Sequence, residues 1–215
     1  MKRAALVSPG TLNRIFQEAN EAWKRCDFQK AFDLMERAKR LDPANVDVML
    51  SLGKLHGQRF DYATAEECFA RALRITGQRT DVLIGAARES RAFNCFPLAE
   101  RYLKTALERK DITPEGIVML AEIHERARRL DEAAGLAERA LAVAPACGPA
   151  RLLSARLERQ SGRLDEAEKQ LRAISAKGDP ALRVSVHYEL GTILDRLGKY
   201  DDAMTAFLEA KALLL

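Results

Sequence analysis

The sequence predicts an all-α fold, built as a stack of about six helical hairpins. Two observations predict it: an alanine that returns at a fixed interval, and apolar positions between the alanines that follow a helical period of about 3.6 residues. The alanine occurs every 34 residues, with a last step of 36, at Ala31, Ala65, Ala99, Ala133, Ala167 and Ala203. A period of this length is typical of helix–turn–helix units that bury their apolar faces only by stacking on one another.

The composition is that of a folded chain with a mixed surface. Of the 215 residues, 47% are hydrophobic and 31% are charged, which is too apolar for a disordered chain. The 35 basic and 31 acidic residues give a formal charge of only +4, and the two signs are interleaved along the chain. We therefore expect no nucleic-acid partner.

Neither a membrane segment nor a disulfide framework is expected. The apolar stretch near the N-terminus ends at Val7, and no later run approaches the length of a membrane span. The four cysteines lie far apart, without a Cys-x-x-Cys pair, at Cys26, Cys68, Cys95 and Cys147. Reduced thiols of this kind favour a cytoplasmic location, and we expect no membrane partner.

Six repeats are predicted after an N-terminal tail of residues 1–11. They form a single solenoid domain over residues 12–215, with repeats at 12–45, 46–79, 80–113, 114–147, 148–183 and 184–215. Pro43 and Pro145 close second helices, and Thr113 followed by Pro114 is a typical helix start. The junction at residues 176–180 contains Gly178 and two extra residues, and is a candidate hinge.

Small and large side chains recur at fixed places within the repeats. The eighth place is always small and holds Ala19, Gly53, Ala87, Ala121, Ala155 and Gly191. The seventeenth place is always large and holds Phe28, Tyr62, Phe96, Leu130, Leu164 and Tyr200. Small residues let two helix axes approach closely, and we expect the large residues to fill the space beside them.

This pattern resembles the tetratricopeptide repeat. The resemblance is clearest at residues 128–145 and 198–210, where a leucine or tyrosine precedes Asp-Glu-Ala or its equivalent, and it covers about residues 12–213. It implies a right-handed α-solenoid of about six such hairpins. It also implies that the first helices of the hairpins line a concave groove that holds peptides or partner proteins.

Three places of each repeat would line such a groove. The fifth place is apolar throughout: Phe16, Leu50, Ile84, Val118, Leu152 and Tyr188. The ninth place holds Asn20, Lys54, Arg88, Glu122, Arg156 and Thr192. The twelfth place holds Trp23, Gly57, Arg91, Glu125, Arg159 and Asp195. An apolar trough with charged walls suits an amphipathic helix or an extended peptide, so we predict a protein or peptide partner here.

Each of these rows also has a structural interpretation. The charges of neighbouring repeats alternate in sign and could neutralise one another, in pairs that contribute only about 0 to 1 kcal/mol each. The apolar row could equally belong to the packing between hairpins. Trp23, the only tryptophan, lies near the amino end, where we expect contact with a partner or with a crossing segment.

Neither a catalytic nor a metal site is predicted, and no cofactor is expected. His56 and His124 occupy the same place two repeats apart, where packing or hydrogen bonding is favoured over metal binding. The chain lacks the HExxH, GxSxG and GxxxxGK motifs. We therefore predict a non-catalytic chain.

The C-terminal sequence leaves three functional hypotheses open. The last residues, Leu213, Leu214 and Leu215, do not resemble the polar helix that usually caps a solenoid. Residues 187–214 resemble, weakly, the last repeat before the catalytic domain of bacterial tetratricopeptide sulfotransferases. The chain is thus predicted to be a peptide-binding scaffold, with two alternatives: the recruiting or dimerising arm of a larger enzyme, or a scaffold that self-associates through an uncapped last helix.

Overall fold

The computed structural model describes residues 9–174 and 179–214, and within them it contains twelve α-helices and no strand. The chain divides into two compact units, Met1–Arg109 and Lys110–Leu215. Unit 1 contains α1 (Pro9–Lys24), α2 (Phe28–Leu41), α3 (Val46–Gln58), α4 (Tyr62–Ile75), α5 (Thr80–Ala92) and α6 (Phe96–Leu107). Unit 2 contains α7 (Pro114–Arg126), α8 (Leu130–Val143), α9 (Gly148–Gln160), α10 (Leu164–Arg172), α11 (Pro180–Arg196) and α12 (Tyr200–Ala212).

The helices pair as consecutive hairpins, which confirms the all-α fold class. Helices α3, α5, α7 and α9 begin at the residues where the sequence places the start of a repeat. Helix α1 begins earlier, at Pro9, and α11 begins at Pro180 rather than Val184. Residues 1–8 of the predicted tail and residues 176–178 of the candidate hinge lie outside the described residues. None of the described helices has the length and apolarity needed to cross a membrane.

Turns within the hairpins share one unusual backbone conformation. The fifteenth place of each repeat has a positive φ, with values between 60° and 85°, at Cys26, Phe60, Asn94, Arg128, Gly162 and Gly198. This left-handed residue ends the first helix, and the amide that follows it donates back to a carbonyl of that helix, as Asp61 N does to His56 O at 3.0 Å. Glycine suits the conformation best, so a bulky residue such as Phe60 holds strain there.

The six repeating alanines are buried as predicted, and none is more than 3% exposed. In unit 1, helices α3 and α4 approach each other closely where Gly53 packs against the ring of Phe69. A Cβ atom at Gly53 would lie 2.3 Å from that ring. Phe69 in turn stacks on Phe93 with 6.4 Å between ring centroids, and Phe93 covers Gly57 in the same way. Unit 2 repeats the device once, with Gly191 against Phe207.

One packing prediction was wrong. The side chain that fills the space beside the small eighth place comes from the twenty-fourth place, as Phe69 and Phe207 do, and not from the seventeenth. Residues of the seventeenth place lie at the hairpin turns, where Phe28, Tyr62 and Tyr200 remain exposed. The seventeenth place is the first residue of the second helix, so its side chain sits at the end of the hairpin interface rather than inside it.

Candidate functional site

A cleft lies between α1 and α3, two of the first helices of unit 1. It has a volume of about 90 Å³. Helix α1 contributes Phe16, Ala19, Asn20 and Trp23, α2 contributes Ala31 and Met35, and α3 contributes Ser51, Lys54 and Leu55. The lining is apolar, and the polar atoms come from the asparagine, the serine and the lysine. We call this depression the α1–α3 cleft.

The side chains at the α1–α3 junction are larger than those at the α3–α5 junction. Between α3 and α5, Leu50 packs over Gly85, where an added Cβ would lie only 3.1 Å from a methyl group of the leucine. The same two places of the repeat hold Phe16 and Ser51 at the α1–α3 junction. Phe16 and Ser51 both line the cleft.

A second, wider depression adjoins the cleft and shares Phe16 with it. It has a volume of about 660 Å³, and it is lined by Leu12, Asn13, Phe16, Gln17, Asp42, Asn45 and Asp47. Its polar wall is fixed by local hydrogen bonds, since Asn45 caps α3 by accepting from Val48 N at 3.1 Å and donates from its amide to Asp42 at 3.2 Å. The two depressions of unit 1 therefore meet at Phe16 and form one surface that is apolar in some places and polar in others.

Trp23 is placed by its own hairpin turn. Its ring lies 4.6 Å from that of Phe28, at a tilt of 59°, and the side chain is half-buried. One part of the ring therefore packs in the hairpin while another part faces the α1–α3 cleft. An indole with one face covered is an amphipathic contact surface for a ligand.

The charges on the first helices of unit 1 are only partly paired. Lys54 lies 3.6 Å from the Glu89 carboxylate, and Arg88 is exposed. The unit as a whole has 19 basic and 14 acidic residues, a net charge of +5, whereas unit 2 has 16 basic and 17 acidic residues, a net charge of −1. On electrostatic grounds a positive net charge favours acidic over basic ligands.

The charges on the first helices of unit 2 pair with one another. Arg156 lies 3.0 Å from Glu125 and 3.5 Å from Glu122, and Gln160 donates to Glu125 at 2.7 Å. Arg159 forms an ion pair with Glu189 of α11. Burial raises the pKa of Glu125 above its ordinary value, while Arg156 opposes that rise.

A match to a family model follows the same repeats. The tetratricopeptide repeat model matches residues 16–79, 85–151, 118–182 and 152–213. The chain belongs to the tetratricopeptide repeat (TPR) family.

Solved structures with this fold include three that cover most of the TPR chain. The pilF protein of Pseudomonas aeruginosa is 16% identical, with a TM-score of 0.63, and the match covers 94% of this chain and 91% of that one. PilW, described as a type IV pilus biogenesis factor, is 19% identical, with a TM-score of 0.64 and coverage of 94% and 93%. YrrB, described as a TPR protein with an unusual peptide-binding site, is 16% identical, with a TM-score of 0.53 and coverage of 83% and 91%. Identities this low show the fold alone.

Burial divides the predicted apolar row of the TPR chain. Ile84, Val118 and Leu152 are buried, with exposed fractions of 5%, 3% and 7%, so these three belong to the packing and not to an open surface. Phe16 and Leu50 are half-buried, and Tyr188 is 42% exposed.

The predicted charged rows also divide between the two interpretations. Glu122 and Arg156 pair with each other, in agreement with the structural interpretation. Asn20 and Lys54 line the α1–α3 cleft beside Trp23, and so remain candidates for ligand contact. Arg91 is half-buried and already takes part in an interaction.

The histidines of the TPR chain pair with carboxylates. His56 Nδ1 lies 3.1 Å from Asp61, the buried His124 lies 2.9 Å from Glu132, and His187 lies 3.0 Å from Glu209. Within residues 9–174 and 179–214, no three His, Cys, Asp or Glu side chains gather as a metal site.

Five residues of the cleft were not among the predicted site residues: Ala19, Ala31, Met35, Ser51 and Leu55. Ala19 and Ala31 hold places that the sequence assigned to helix packing. The signal that could have found Ser51 is its spacing, because it lies three residues before Lys54 and four before Leu55 and therefore on the same side of α3.

Proposed function

We propose that the chain is a non-catalytic TPR scaffold whose unit 1 binds a peptide or protein segment in the α1–α3 cleft. The observation that carries the proposal is the cleft itself, an apolar recess with an amide, a hydroxyl and an ammonium group at its polar positions. Apolar pockets with a few convergent polar groups are the usual form of a ligand site.

The partner's chemistry follows from the lining. The volume of about 90 Å³ fits one aliphatic side chain rather than a helix or a cofactor. The amide of Asn20 and the hydroxyl of Ser51 can each donate and accept hydrogen bonds, and so can bind the peptide backbone beside that side chain. The positive charge of Lys54 and Arg88 favours acidic residues on either side. We therefore propose an acidic segment with a leucine-like anchor.

Intrinsic fluorescence tests the proposal directly, because Trp23 is the only tryptophan and lines the cleft. The probe is a synthetic peptide with one leucine flanked by glutamates, and the control peptide has alanine in place of the leucine. We expect the leucine peptide to shift the emission to shorter wavelength and the alanine peptide to bind at least about tenfold more weakly.

Two matched variants locate the site. Ser51→Leu fills the cleft and should weaken binding of the leucine peptide at least about tenfold. Thr192→Leu makes a similar change on a first helix of unit 2 and should leave binding unchanged. Circular dichroism melting of both variants checks that they fold. Equal affinity of the parent and the Ser51→Leu variant, or binding without any change in tryptophan emission, would move the site away from this cleft.

A second candidate function, self-association through the last helix, is favoured by one observation. Helix α12 exposes three large apolar side chains, Tyr200, Met204 and Leu208. The hypothesis of a sulfotransferase arm rests only on residues 187–214. None of the three structures above is described as part of such an enzyme.

A further inference from the structure

Helix α12 carries an apolar ridge on the side opposite its buried residues. Tyr200, Met204 and Leu208 follow one another at intervals of four residues and are 69%, 59% and 57% exposed. Ala212, at the next interval, is exposed as well. Residues spaced by four lie one above the other on a helix and form the ridges by which helices pack. We call these four residues the α12 ridge.

At two places of the ridge, those of Met204 and Leu208, most of the other repeats carry a charged residue. The place of Met204 holds Phe32, Glu66, Glu100, Ala134 and Glu168, and the place of Leu208 holds Glu36, Ala70, Lys104, Glu138 and Arg172, whereas the place of Tyr200 is large and apolar in every repeat. Two of these charges bind the following hairpin, since Glu66 pairs with Arg101 and Glu168 pairs with Lys199. At the places of Met204 and Leu208, α12 thus has exposed apolar residues where most repeats carry charged ones, which indicates a surface that is covered in the working protein.

The sizes of the side chains along the α12 ridge favour a second copy of the same helix as the surface that packs on it. The ridge tapers from the large Tyr200 at its amino end to the small Ala212 at its carboxyl end. An antiparallel pair would place the tyrosine of each copy against the alanine of the other. A parallel pair would instead bring tyrosine against tyrosine and leave a gap at the alanines.

Charge along the same helix favours the same arrangement. Asp201 and Asp202 lie at the amino end of α12, and Lys211 lies at its carboxyl end, all of them exposed. The one acidic residue near the lysine, Glu209, already lies 3.0 Å from His187 of α11. An antiparallel pair brings the acidic end of each helix to the basic end of the other and also opposes the two helix dipoles.

We propose that α12 pairs antiparallel with α12 of a second copy of this chain across a two-fold axis. Met204 of each copy then packs beside Leu208 of the other, so that the same patch serves both subunits, as two-fold symmetry requires. This interface does not involve the α1–α3 cleft, so it can form whether or not the cleft holds a peptide. Three large side chains per copy make a small interface, and we expect a dissociation constant on the order of tens of micromolar or weaker.

Analytical ultracentrifugation from roughly 1 μM to roughly 1 mM chain tests the pairing. The parent should pass from monomer to dimer over this range. Leu208→Lys places two ammonium groups near the two-fold axis and should weaken association at least about tenfold. Val143→Lys is the matched control, because Val143 is 60% exposed on α8, and it should associate like the parent.

Charge reversal tests the direction of the pairing. Lys211→Glu should weaken the dimer, and adding Asp201→Lys and Asp202→Lys to it should restore association. A parent chain that stays monomeric over the whole concentration range would overturn the proposal. The ridge would then be covered by another protein or by a further segment of a longer chain. A dimer that is indifferent to Leu208→Lys would also overturn it. Peptide binding followed by Trp23 emission should be unaffected by Leu208→Lys, so failure of one proposal does not imply failure of the other.

Discussion

Units 1 and 2 are built from the same repeat but treat the surface of their first helices differently. In unit 1, the first helices α3 and α5 meet through Leu50 over Gly85 and through the looser ion pair of Lys54 with Glu89. In unit 2, side chains of opposite charge bridge neighbouring first helices, through Arg156 with Glu122 and Glu125. The net charges of the units, +5 and −1, follow the same division.

This difference shows which kind of contact between repeats leaves side chains available to bind a ligand. An ion pair between repeats satisfies its charges internally, and exposed or half-buried pairs add little stability while leaving little charge for a ligand. Apolar contacts that are uneven in size leave a recess instead, as Phe16 and Ser51 do at the α1–α3 cleft. The four predictions below test this comparison.

The largest effect is expected from a single added methyl group in unit 1. Gly53→Ala would place a Cβ atom 2.3 Å from the ring of Phe69, which is fully buried and stacked on Phe93. The variant should lose roughly 1 to 3 kcal/mol of unfolding free energy. Gly135→Ala in unit 2 is the control, because nothing lies within 4 Å of its Cβ position. It should gain about 0.5 to 1 kcal/mol from helix propensity alone. Urea unfolding of both variants checks the two signs.

Removing one charge should matter more in unit 2 than in unit 1. Arg156→Met leaves Glu122 and Glu125 without their shared partner and should cost about 2 kcal/mol. Lys54→Met breaks the looser pair with Glu89 and should cost less than about 1 kcal/mol. Chemical denaturation at low salt compares the two. Equal losses would mean that the ion pairs do not distinguish the units.

Backbone strain at the hairpin turns should also differ between the units. Phe60 has a φ of 65° and is 79% exposed, whereas Gly162 holds the same place in unit 2 with a φ of 85°. Phe60→Asn should stabilise the chain by about 0.5 to 1 kcal/mol, and Gly162→Phe should destabilise it by a similar amount. Melting temperatures of the two variants provide the measurement, and a loss of stability in Phe60→Asn would indicate that the ring packs in a way that offsets the strain.

The smallest effect is a pH dependence with opposite signs at two glutamates of unit 2. Burial raises the pKa of Glu125, so its contribution is fullest below the ordinary value of 4.5 and is lost as the pH rises through the raised pKa. Hydrogen bonds from Lys199 and Arg172 lower the pKa of Glu168, so its contribution is present above 4.5 and is lost as the pH falls through the lowered pKa.

Glutamine variants at both positions measure these contributions. The stability of the parent relative to Glu125→Gln should fall as the pH rises from about 4 to about 7, and its stability relative to Glu168→Gln should fall as the pH drops below about 4.5. Denaturant unfolding at a series of pH values checks both trends. Parallel curves for the two variants would show that the carboxylates titrate alike and that burial at Glu125 has no effect.

Much of the fold was predictable because it depends on local spacing. The starts of α3, α5, α7 and α9, and the burial of the six alanines, all follow from positions that recur along the chain. The partner of the small eighth place was not predictable in the same way. Phe69 rather than Tyr62 fills the space beside Gly53, because these two residues share one face of α4 but lie two turns apart along it, and Tyr62 is at the end of the helix.

The candidate site was predictable only in part. Phe16, Asn20, Trp23 and Lys54 do line a recess, whereas Ile84, Val118 and Leu152 hold the same kind of place and are buried. Recurrence in sequence makes these positions equivalent, but the distance between neighbouring first helices differs from one junction to the next. That distance depends on pairs of side chains from different repeats, as Leu50 with Gly85 and Phe16 with Ser51 show.

By itself, the sequence determined that this protein is a series of helical hairpins, because a 34-residue period and helical spacing are properties of the chain that need no long-range information. Only the tertiary structure decided which surfaces stay open: the α1–α3 cleft in unit 1 and the α12 ridge in unit 2. An opening depends on the combined volume and charge of side chains that meet across two helices, and their meeting is settled only when the hairpins pack.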